Sequence, residues 1–513
     1  MNAFEKAFDR ESKLTLTENG ATALNTTGNN CLDLFARIGA IRNQDESVVT
    51  SLFETAYMED RELALKIICY ARDIRGGLGE RESFKRILKH LANHHYKEIN
   101  WYMIPSIMGP YFRWDDLYAL LGTPAESDMW EIYREWLSND YAVYKMSSDG
   151  VHRPISLLAK WLKTPDASSK KTRQLGIRTA LSLGYSVRQY KKILRQLRAY
   201  LKVVECDMSA NRWDEIDYER VPSKAMNVYR NAFPRHSPEK WGEYIQKLHV
   251  GEAKVNASTL YPYDLISKVW GGRDDEIIEE QWKALPDYVE KGTNAIVIAD
   301  VSGSMMGRPM ATSVGLAIYF AEHNTGAYHN LFMTFTDKSE IVRLSDGDDL
   351  KTKCRKVSRS DWGGSTNLAV AFEHILDIAV ENHVSQDELP KALIIITDME
   401  FNQCVYGGHV ETIIEWYSRR RMDDFTFYET MKRKYANYGY EMPNVVFWNV
   451  DSRHDTYHVD ESEMHAQLYS GQAIATFRAV LNSIGMTPYE AMLNTVNAER
   501  YETVKKLLVS EAK

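Results

Sequence analysis

The sequence predicts a multidomain chain in which a long helical region precedes a doubly wound α/β domain. Its 513 residues exceed the ~250 to 300 at which single cores stop growing, which indicates two structural units. From about Cys31 to Lys254, apolar residues recur three and four apart, the period of a helix. After about Asn294, short aliphatic runs alternate with helical patterns, as in doubly wound sheets. We therefore assign residues 1–285 to a helical domain and residues 286–513 to an α/β domain.

The helical region consists of short amphipathic segments separated by turns. In the segment Tyr190 to Leu201, four apolar residues fall on one predicted helix face: Ile193, Leu194, Leu197 and Leu201. Breakers such as Arg75-Gly76-Gly77 and Thr164-Pro165 separate successive segments. Because each helix pair needs a neighbour to bury its apolar face, this pattern favours a helical-repeat (HEAT-like) solenoid or ring.

Continuous aliphatic runs in the second region predict strands that are buried on both faces. They are Ala295 to Ala299, Leu331 to Phe335, Ala392 to Ile396 and Val445 to Val450. Helical patterns lie between them at Pro309 to His323, Asn367 to Glu381 and Thr412 to Arg420. Sheets of this kind bind ligands at the carboxyl ends of their strands. Polar residues that directly follow a predicted strand are therefore candidate site residues.

Oxygen-bearing side chains follow two of these strands. Asp300, Ser302 and Ser304 alternate in the turn after the first strand, which lets all three point at one ion. Thr366 lies in a later Gly-Gly-Ser-Thr loop, and Asp398 closes the strand that ends at Ile396. Carboxylates and hydroxyls are hard ligands, so we expect Mg²⁺ or Mn²⁺ at these five residues, held in surface loops.

The pattern D-x-S-x-S, a later G-S-T and a strand-ending T-D resembles the metal-ion-dependent adhesion site of von Willebrand factor A domains. Asp300, Ser302, Ser304, Thr366 and Asp398 match that site residue for residue. The resemblance implies a Rossmann-like sheet. It also implies one open coordination position on the metal, filled by a carboxylate from a partner, and it implies no turnover of a substrate.

A basic stretch interrupts the mildly acidic chain, whose formal net charge is −8. No acidic residue lies between Asp166 and Glu205, and a helix over Tyr190 to Leu201 would expose several cations opposite its apolar face. Such a face can neutralise RNA phosphates. A solvated helix face that pairs with acids from elsewhere is the alternative. The candidate RNA-binding residues are Lys170, Lys171, Arg173, Arg188, Lys191, Lys192, Arg195, Arg198 and Lys202.

Several short sequence segments of the helical region resemble the TROVE module of the Ro ribonucleoprotein family. They are Arg72 to Gly77, Arg113 to Leu117 and Trp213 to Met226. That family joins a ring of helical repeats to a C-terminal von Willebrand A domain, and the chain is closest to an uncharacterised branch of it. The resemblance implies binding of misfolded RNA ends in the ring and of structured small RNAs on its basic outer surface.

Other functional classes lack support in the sequence. A P-loop, an H-E-x-x-H zinc motif and a recognisable nucleophile motif are all absent, so we expect no enzymatic activity. No apolar run approaches the ~20 residues of a membrane span, and the charged Met1 to Arg10 does not resemble a signal peptide. We therefore expect a cytoplasmic protein without membrane contact.

Two functions remain open at this point. The first is a non-catalytic RNA-binding scaffold, a ribonucleoprotein component whose A domain carries a divalent-cation-dependent ligand site. The second is a metal-dependent protein-interaction adaptor that grips a partner's carboxylate and binds no nucleic acid. Basic residues on one continuous face would favour the first, and dispersed basic residues would favour the second.

Overall fold

The computed structural model of the protein describes residues 12–109, 111–147, 151–272, 276–360, 362–402 and 425–509. The helix predicted at Thr412 to Arg420 lies outside these residues. Contacts divide the chain into two units. Unit 1 takes the described parts of Met1–Ala71, Arg75–Glu80 and Leu260–Tyr501. Unit 2 takes those of Arg72–Ile74, Arg81–Thr259 and Glu502–Lys513.

The described residues before Arg81 form a small hairpin followed by helices. Strands β1 (Leu14–Leu16) and β2 (Thr22–Leu24) pair antiparallel, with Leu14 opposite Leu24. Three helices follow: α1 (Asn30–Arg37), α2 (Glu46–Glu59) and α3 (Arg61–Arg72). The side chain of Asn29 caps α1 by accepting a hydrogen bond from the Leu32 N–H.

Unit 2 is helical, as the sequence predicts. Its α-helices are α4 (Glu82–His94), α5 (Ile104–Met108), α6 (Glu126–Met146), α7 (Leu158–Trp161), α8 (Lys170–Ser182), α9 (Val187–Tyr200), α10 (Val204–Ser209), α11 (Ser223–Tyr229), α12 (Phe233–His236) and α13 (Pro238–His249). Short 3-10 helices occur at Tyr96–Glu98, Trp101–Met103, Trp114–Leu120, Trp213–Glu215 and Tyr218–Arg220. In α9 the predicted apolar face is buried through Ile193, Leu194 and Leu197. A HEAT-like repeat or ring stays a prediction.

The remainder of unit 1 is built around a mixed sheet of six strands in the order β5-β4-β3-β6-β7-β8. The strands are β3 (Ala295–Asp300), β4 (Leu331–Phe335), β5 (Ser339–Arg343), β6 (Ala392–Thr397), β7 (Asn444–Asn449) and β8 (Ala466–Ser470). All neighbours are parallel except β4 and β5. The four predicted strands are present, and β5 and β8 extend the sheet at its two edges.

The helices of this part are α14 (Pro262–Trp270), α15 (Glu276–Lys283), α16 (Arg308–His323), α17 (Leu350–Val357), α18 (Ala369–Glu381), α19 (Phe427–Asn437), α20 (Thr476–Leu481) and α21 (Pro488–Val496). Short 3-10 helices lie at Gly303–Met305 and Gln386–Glu388. A third, Glu499–Leu507, begins in unit 1 and continues into the segment Glu502–Lys513 of unit 2. Among the described residues, no helix is long and apolar enough to cross a bilayer.

Unit 1 does not follow the predicted division at residues 285 and 286, because earlier segments pack onto the sheet domain. Helix α14 packs on α16, where a Cβ at Gly315 would lie 2.8 Å from the Pro262 Cβ. Helix α1 packs beside β8, and the Ser470 hydroxyl donates to the Phe35 carbonyl at 3.0 Å. The core of the α/β unit is therefore completed by residues that the sequence analysis assigned to the helical domain.

Candidate metal centre

The register of the central strands brings the two predicted carboxylate ligands to one edge of the sheet. β3 and β6 pair in parallel with Ala299 opposite Ile396, so both strands end together. Asp300 is the last residue of β3, and Asp398 directly follows β6. Both side chains are buried, at 0% and 1% exposure. Two carboxylates therefore share a nearly dry position at the carboxyl ends of neighbouring strands.

The three predicted hydroxyl ligands form a chain beside these carboxylates. The Ser302 and Ser304 hydroxyls lie 3.1 Å apart, and the Thr366 hydroxyl donates to the Ser302 oxygen at 3.2 Å. Asp300 accepts from the Ser302 N–H at 2.9 Å. Ser302 and Thr366 are buried, whereas Ser304 is exposed. The expectation of surface loops is therefore wrong for four of the five residues, and the cluster reaches solvent through Ser304.

Electrostatics set this cluster apart from an ordinary polar turn. Burial, together with the charge of Asp398, raises the pKa of Asp300 to about 7. Hydrogen bonds from Ser302 and from the Thr397 hydroxyl, at 2.7 Å, favour the ionised form but do not offset those two effects. A divalent cation between the carboxylates would relieve their repulsion. The donor set therefore fits Mg²⁺ or Mn²⁺, which prefer oxygen ligands.

Arg453, from the segment after β7, is a neighbour of this cluster that the sequence analysis missed. Its Nη2 donates to the Asp398 Oδ2 at 2.6 Å, and its Nη1 lies 3.0 Å from the Glu18 carboxylate. Arg453 is thus an ionic link between a candidate metal ligand and the turn of the N-terminal hairpin. No local pattern around Arg453 indicates this role.

The turn of the β1–β2 hairpin lies along the segment that follows Asp398. The Thr17 hydroxyl donates to the Phe401 carbonyl and the Glu18 N–H donates to the Glu400 carboxylate, each at 2.6 Å. Glu400 is fully buried. Asn402 completes the arrangement, since its N–H donates to the Thr366 carbonyl at 2.9 Å. The hairpin therefore holds the loop that carries Asp398.

A second group of potential metal ligands lies nearby but is already engaged. Glu18, Glu400 and His454 present ligand atoms within 4.8 Å of one another. The Glu400 carboxylate accepts a hydrogen bond from the Glu18 N–H, and its other oxygen lies 3.2 Å from the His454 Nδ1. The Glu18 carboxylate forms an ion pair with Arg453. These contacts account for the group without an ion.

The nine candidate RNA-binding residues lie on and next to α8 and α9 of unit 2. All except Arg198 are exposed. Within the described residues, Lys191 is the one member of the nine with a carboxylate within 4 Å, at 2.9 Å from Asp166. The exposed sides of α8 and α9 therefore carry several cations without an acidic partner.

Arg198 differs from the other eight because it is half-buried and its guanidinium donates to two backbone carbonyls. It donates to the carbonyls of Ala159 and Leu162, both at 2.8 Å. These carbonyls lie at and just beyond helix α7, where the last turn of a helix leaves carbonyls without partners. Arg198 therefore stabilises local structure, and its assignment as a phosphate-binding residue loses geometric support.

Comparisons with known proteins find matches for both parts of the chain. Residues 294–511 match a family model described as Domain of unknown function (DUF7788), and residues 17–103 and 159–294 match Domain of unknown function (DUF2828). "Uncharacterized protein L728" of Acanthamoeba polyphaga mimivirus is 30% identical over 518 residues, which cover 94% of this chain and 87% of the viral protein. The chain therefore belongs to the same family as that viral protein.

One solved structure that matches the chain is that of the Deinococcus radiodurans RO (RSR) protein. It has a TM-score of 0.43 and 13% sequence identity to this chain. The matched region covers 88% of this chain and 93% of the RO chain.

Proposed function

We propose that the protein is a non-catalytic binding scaffold that holds one Mg²⁺ or Mn²⁺ ion at the carboxyl ends of β3 and β6. The ligands would be Asp300, Ser302, Ser304, Thr366 and Asp398. The observation that carries the proposal is that these five oxygen-bearing side chains come from three separated segments of sequence and cluster at one sheet edge. The raised pKa of Asp300 supports it, because a cation offsets the cost of two close buried carboxylates.

The cation would give the site its ligand preference. A bound divalent ion supplies a positive centre that a carboxylate from a partner can complete. Solvent reaches the cluster beside Ser304, and Met306, two residues further on, is 82% exposed. A partner segment with adjacent acidic and apolar residues would fit this surface. Its carboxylate would bind the ion, and its apolar side chain would pack against the exposed methionine.

Calorimetric titration of the full chain with Mn²⁺ and Mg²⁺ tests this proposal. We expect one ion per chain, and we expect Asp300→Asn to abolish binding. Asp337→Asn is the matched control, because Asp337 is an exposed carboxylate close after β4 at the same sheet edge. Equal binding by wild type and Asp300→Asn would remove the metal site.

RNA binding by unit 2 is the second part of the proposal. Seven of the nine predicted cations are exposed and have no carboxylate within 4 Å in the described structure, which favours a phosphate-binding face over a self-paired surface. The sequence resemblance to the Ro family adds to it. RNA that co-purifies with the native protein should be recovered and sequenced. If the purified chain binds no RNA at low salt, the metal-dependent adaptor becomes the better function.

A further inference from the structure

Two half-buried cations in unit 2 lie against one tryptophan without an acidic partner. The Arg113 guanidinium carbon is 4.6 Å from the centre of the Trp161 ring, and the Lys160 Nζ is 5.6 Å from the same ring. In the described residues, no carboxylate oxygen lies within 4 Å of either cationic group, and neither side chain donates a hydrogen bond. The aromatic ring offsets part of the cost of holding these charges together.

The acids near these cations are already engaged with other groups. Asp116 accepts from the Arg72 Nε at 2.8 Å and from the Arg113 backbone N–H at 2.9 Å. Asp115 is shared between Arg81, at 3.4 Å, and Lys163, at 3.6 Å. Positive charge therefore exceeds negative charge among these contacts.

The electrostatic cost of this arrangement is visible in both side chains. Burial lowers the pKa of Arg113, and the charges of Arg81 and Arg72 lower it further. Burial also lowers the pKa of Lys160. Glu205 opposes that shift, but it lies beyond 4 Å and accepts a hydrogen bond from the Tyr229 hydroxyl. Half-buried unpaired cations cost free energy, which an incoming anion would recover.

We propose that Arg113 and Lys160, with Arg81 beside Arg113, bind a phosphate group, and that this group belongs to the backbone of single-stranded RNA. Half-exposed aromatic rings adjoin the site in sequence, namely Phe112 and Trp114, and the Trp114 ring lies 5.0 Å from the Trp136 ring. Unpaired bases stack on such rings while cations hold the backbone. Only the identity of the phosphate's carrier rests on the RNA binding proposed above.

The first test measures the phosphate site without RNA. Calorimetry with inorganic phosphate, in chloride buffers of matched ionic strength and without divalent cations, should give saturable binding to the full chain. The double variant Arg113→Gln/Lys160→Gln should weaken it by at least about tenfold, since it removes two charge-assisted contacts. The control variant Lys291→Gln/Arg355→Gln, at exposed positions of unit 1, should bind phosphate as the wild type does. No saturable binding by the wild type, or equal binding by both double variants, would overturn the site.

Thermal melting separates loss of the site from loss of the fold. In chloride the Arg113→Gln/Lys160→Gln variant should melt at the same or a higher temperature than the wild type, because it removes unpaired half-buried charges. Phosphate should raise the wild-type melting temperature and leave that of the variant unchanged. Lys160→Gln alone is a second variant should the double change impair folding, since Lys160 has no ion pair in the described structure. A phosphate-induced rise in Lys160→Gln equal to the wild-type rise would count against the site.

The second test identifies the carrier of the phosphate. A short single-stranded oligouridylate should bind the wild type and should lose affinity at least about tenfold in Arg113→Gln/Lys160→Gln at fixed salt. If the variant loses inorganic phosphate but keeps its oligouridylate affinity, the RNA assignment is overturned and free phosphate is the ligand. A further double variant, Lys192→Gln/Arg195→Gln, changes the exposed face of α9. Loss of RNA binding only in that variant would support the α9 face and overturn the RNA role of Arg113 and Lys160.

Discussion

The guanidinium of Arg453 donates a hydrogen bond to the carboxylate of Asp398 at 2.6 Å, so a fixed positive charge lies against a candidate metal ligand. Arg453 is partly exposed, whereas Asp398 is almost fully buried. The same guanidinium lies 3.0 Å from Glu18 in the turn of the N-terminal hairpin. A cation that binds Asp398 must therefore share the carboxylate with Arg453 or displace it toward Glu18.

Replacing Arg453 with methionine should raise the affinity for Mn²⁺. The guanidinium repels an incoming cation and occupies one ligand oxygen, and a partly exposed pair of this kind contributes ~0.2–1 kcal/mol. We expect Mn²⁺ to bind about fivefold more tightly to Arg453→Met in calorimetry at low salt. Arg343→Met is the control, because Arg343 is exposed and pairs with Leu331 at the opposite end of the sheet. Unchanged binding by Arg453→Met would show that Arg453 does not oppose the ion, and weaker binding would show that Arg453 assists it.

Replacing Asp300 with asparagine should abolish metal binding without weakening the metal-free fold. The pKa of Asp300 is raised from its ordinary value of 3.8 to about 7 in the folded state. The protonated carboxyl group therefore stabilises the fold, and this stabilisation is fully present below pH 3.8. That stability is lost as the pH rises through 7. Asp300→Asn should therefore unfold at the same or a higher temperature than the metal-free wild type at pH 8, and the difference should shrink toward pH 5. Melting curves with a chelator measure it, and a lower melting temperature at pH 8 would contradict the raised pKa.

The sequence was sufficient to predict the centre of the sheet and the residues clustered at its edge. The runs at Ala295 and Ala392 are aliphatic throughout, and an aspartate follows each within two residues, so both the strands and the carboxylates were recognisable locally. Strand β8, Ala466–Ser470, contains only one aliphatic residue larger than alanine and was missed. Edge strand β5, Ser339–Arg343, was missed because charged residues flank its two aliphatic residues and it has no continuous aliphatic run.

The partners of the site could not be predicted, because they are set by long-range contacts. Arg453 is one of many arginines, and only the fold brings it to Asp398. The N-terminal hairpin resembles any short polar segment, yet its Thr17 contacts Phe401, 384 residues away. Side-chain contacts at such separations leave no periodicity in the sequence. The division of the chain by contacts could not be predicted for the same reason, since α1 and α14 are helices by pattern but pack within the α/β unit.

Lowering the pH should destabilise unit 1 through His458. The imidazole is buried, its Nε2 lies 3.1 Å from the Met399 carbonyl, and its ring centre is 4.4 Å from that of Phe401. Burial lowers the pKa of His458 to about 4, so the neutral form is favoured in the folded state. The neutral imidazole contributes about 3 kcal/mol to the free energy of unfolding above pH 6.5. This contribution is lost as the pH falls toward 4.

The variant His458→Gln isolates this effect. Glutamine cannot acquire the charge but can still donate to the Met399 carbonyl. We expect the melting temperature of unit 1 to fall less steeply between pH 6.5 and pH 4 in His458→Gln than in the wild type. His383→Gln, at an exposed histidine after α18, should keep the wild-type slope. Parallel slopes for all three proteins would mean that His458 does not control acid stability.

Two glycines in helices should respond to alanine with opposite signs. At Gly315 in α16, an added Cβ would lie 2.8 Å from the Pro262 Cβ and 3.1 Å from the Ile266 Cγ1, so α14 would have to shift. At Gly242 in α13, nothing lies within 4 Å of an added Cβ. Gly315→Ala should lower the free energy of unfolding by ~1–3 kcal/mol through overpacking. Gly242→Ala should raise it by ~0.5–1 kcal/mol through helix propensity. Denaturant unfolding measures both, and stabilisation by Gly315→Ala would show that α14 is not docked on α16.

Replacing three unpaired cations of α9 should flatten the salt dependence of RNA binding. Arg188, Lys192 and Arg195 are exposed, and no carboxylate lies within 4 Å of them in the described residues, so each is available to a phosphate. Because bound phosphates release counterions, the log-log slope against salt should fall by up to ~0.7 per lost contact with single-stranded RNA. The variant with Arg188→Gln, Lys192→Gln and Arg195→Gln should keep the wild-type melting temperature, since exposed charges contribute ~0–1 kcal/mol.

Lys291→Gln, Lys338→Gln and Arg355→Gln together form the control, which changes the net charge equally at exposed positions of unit 1 and should leave the slope unchanged. Arg198 is excluded because its guanidinium holds two backbone carbonyls and its loss would lower stability. A slope that falls equally in both triple variants would indicate a net-charge effect, and an unchanged slope in the α9 variant would place the RNA elsewhere.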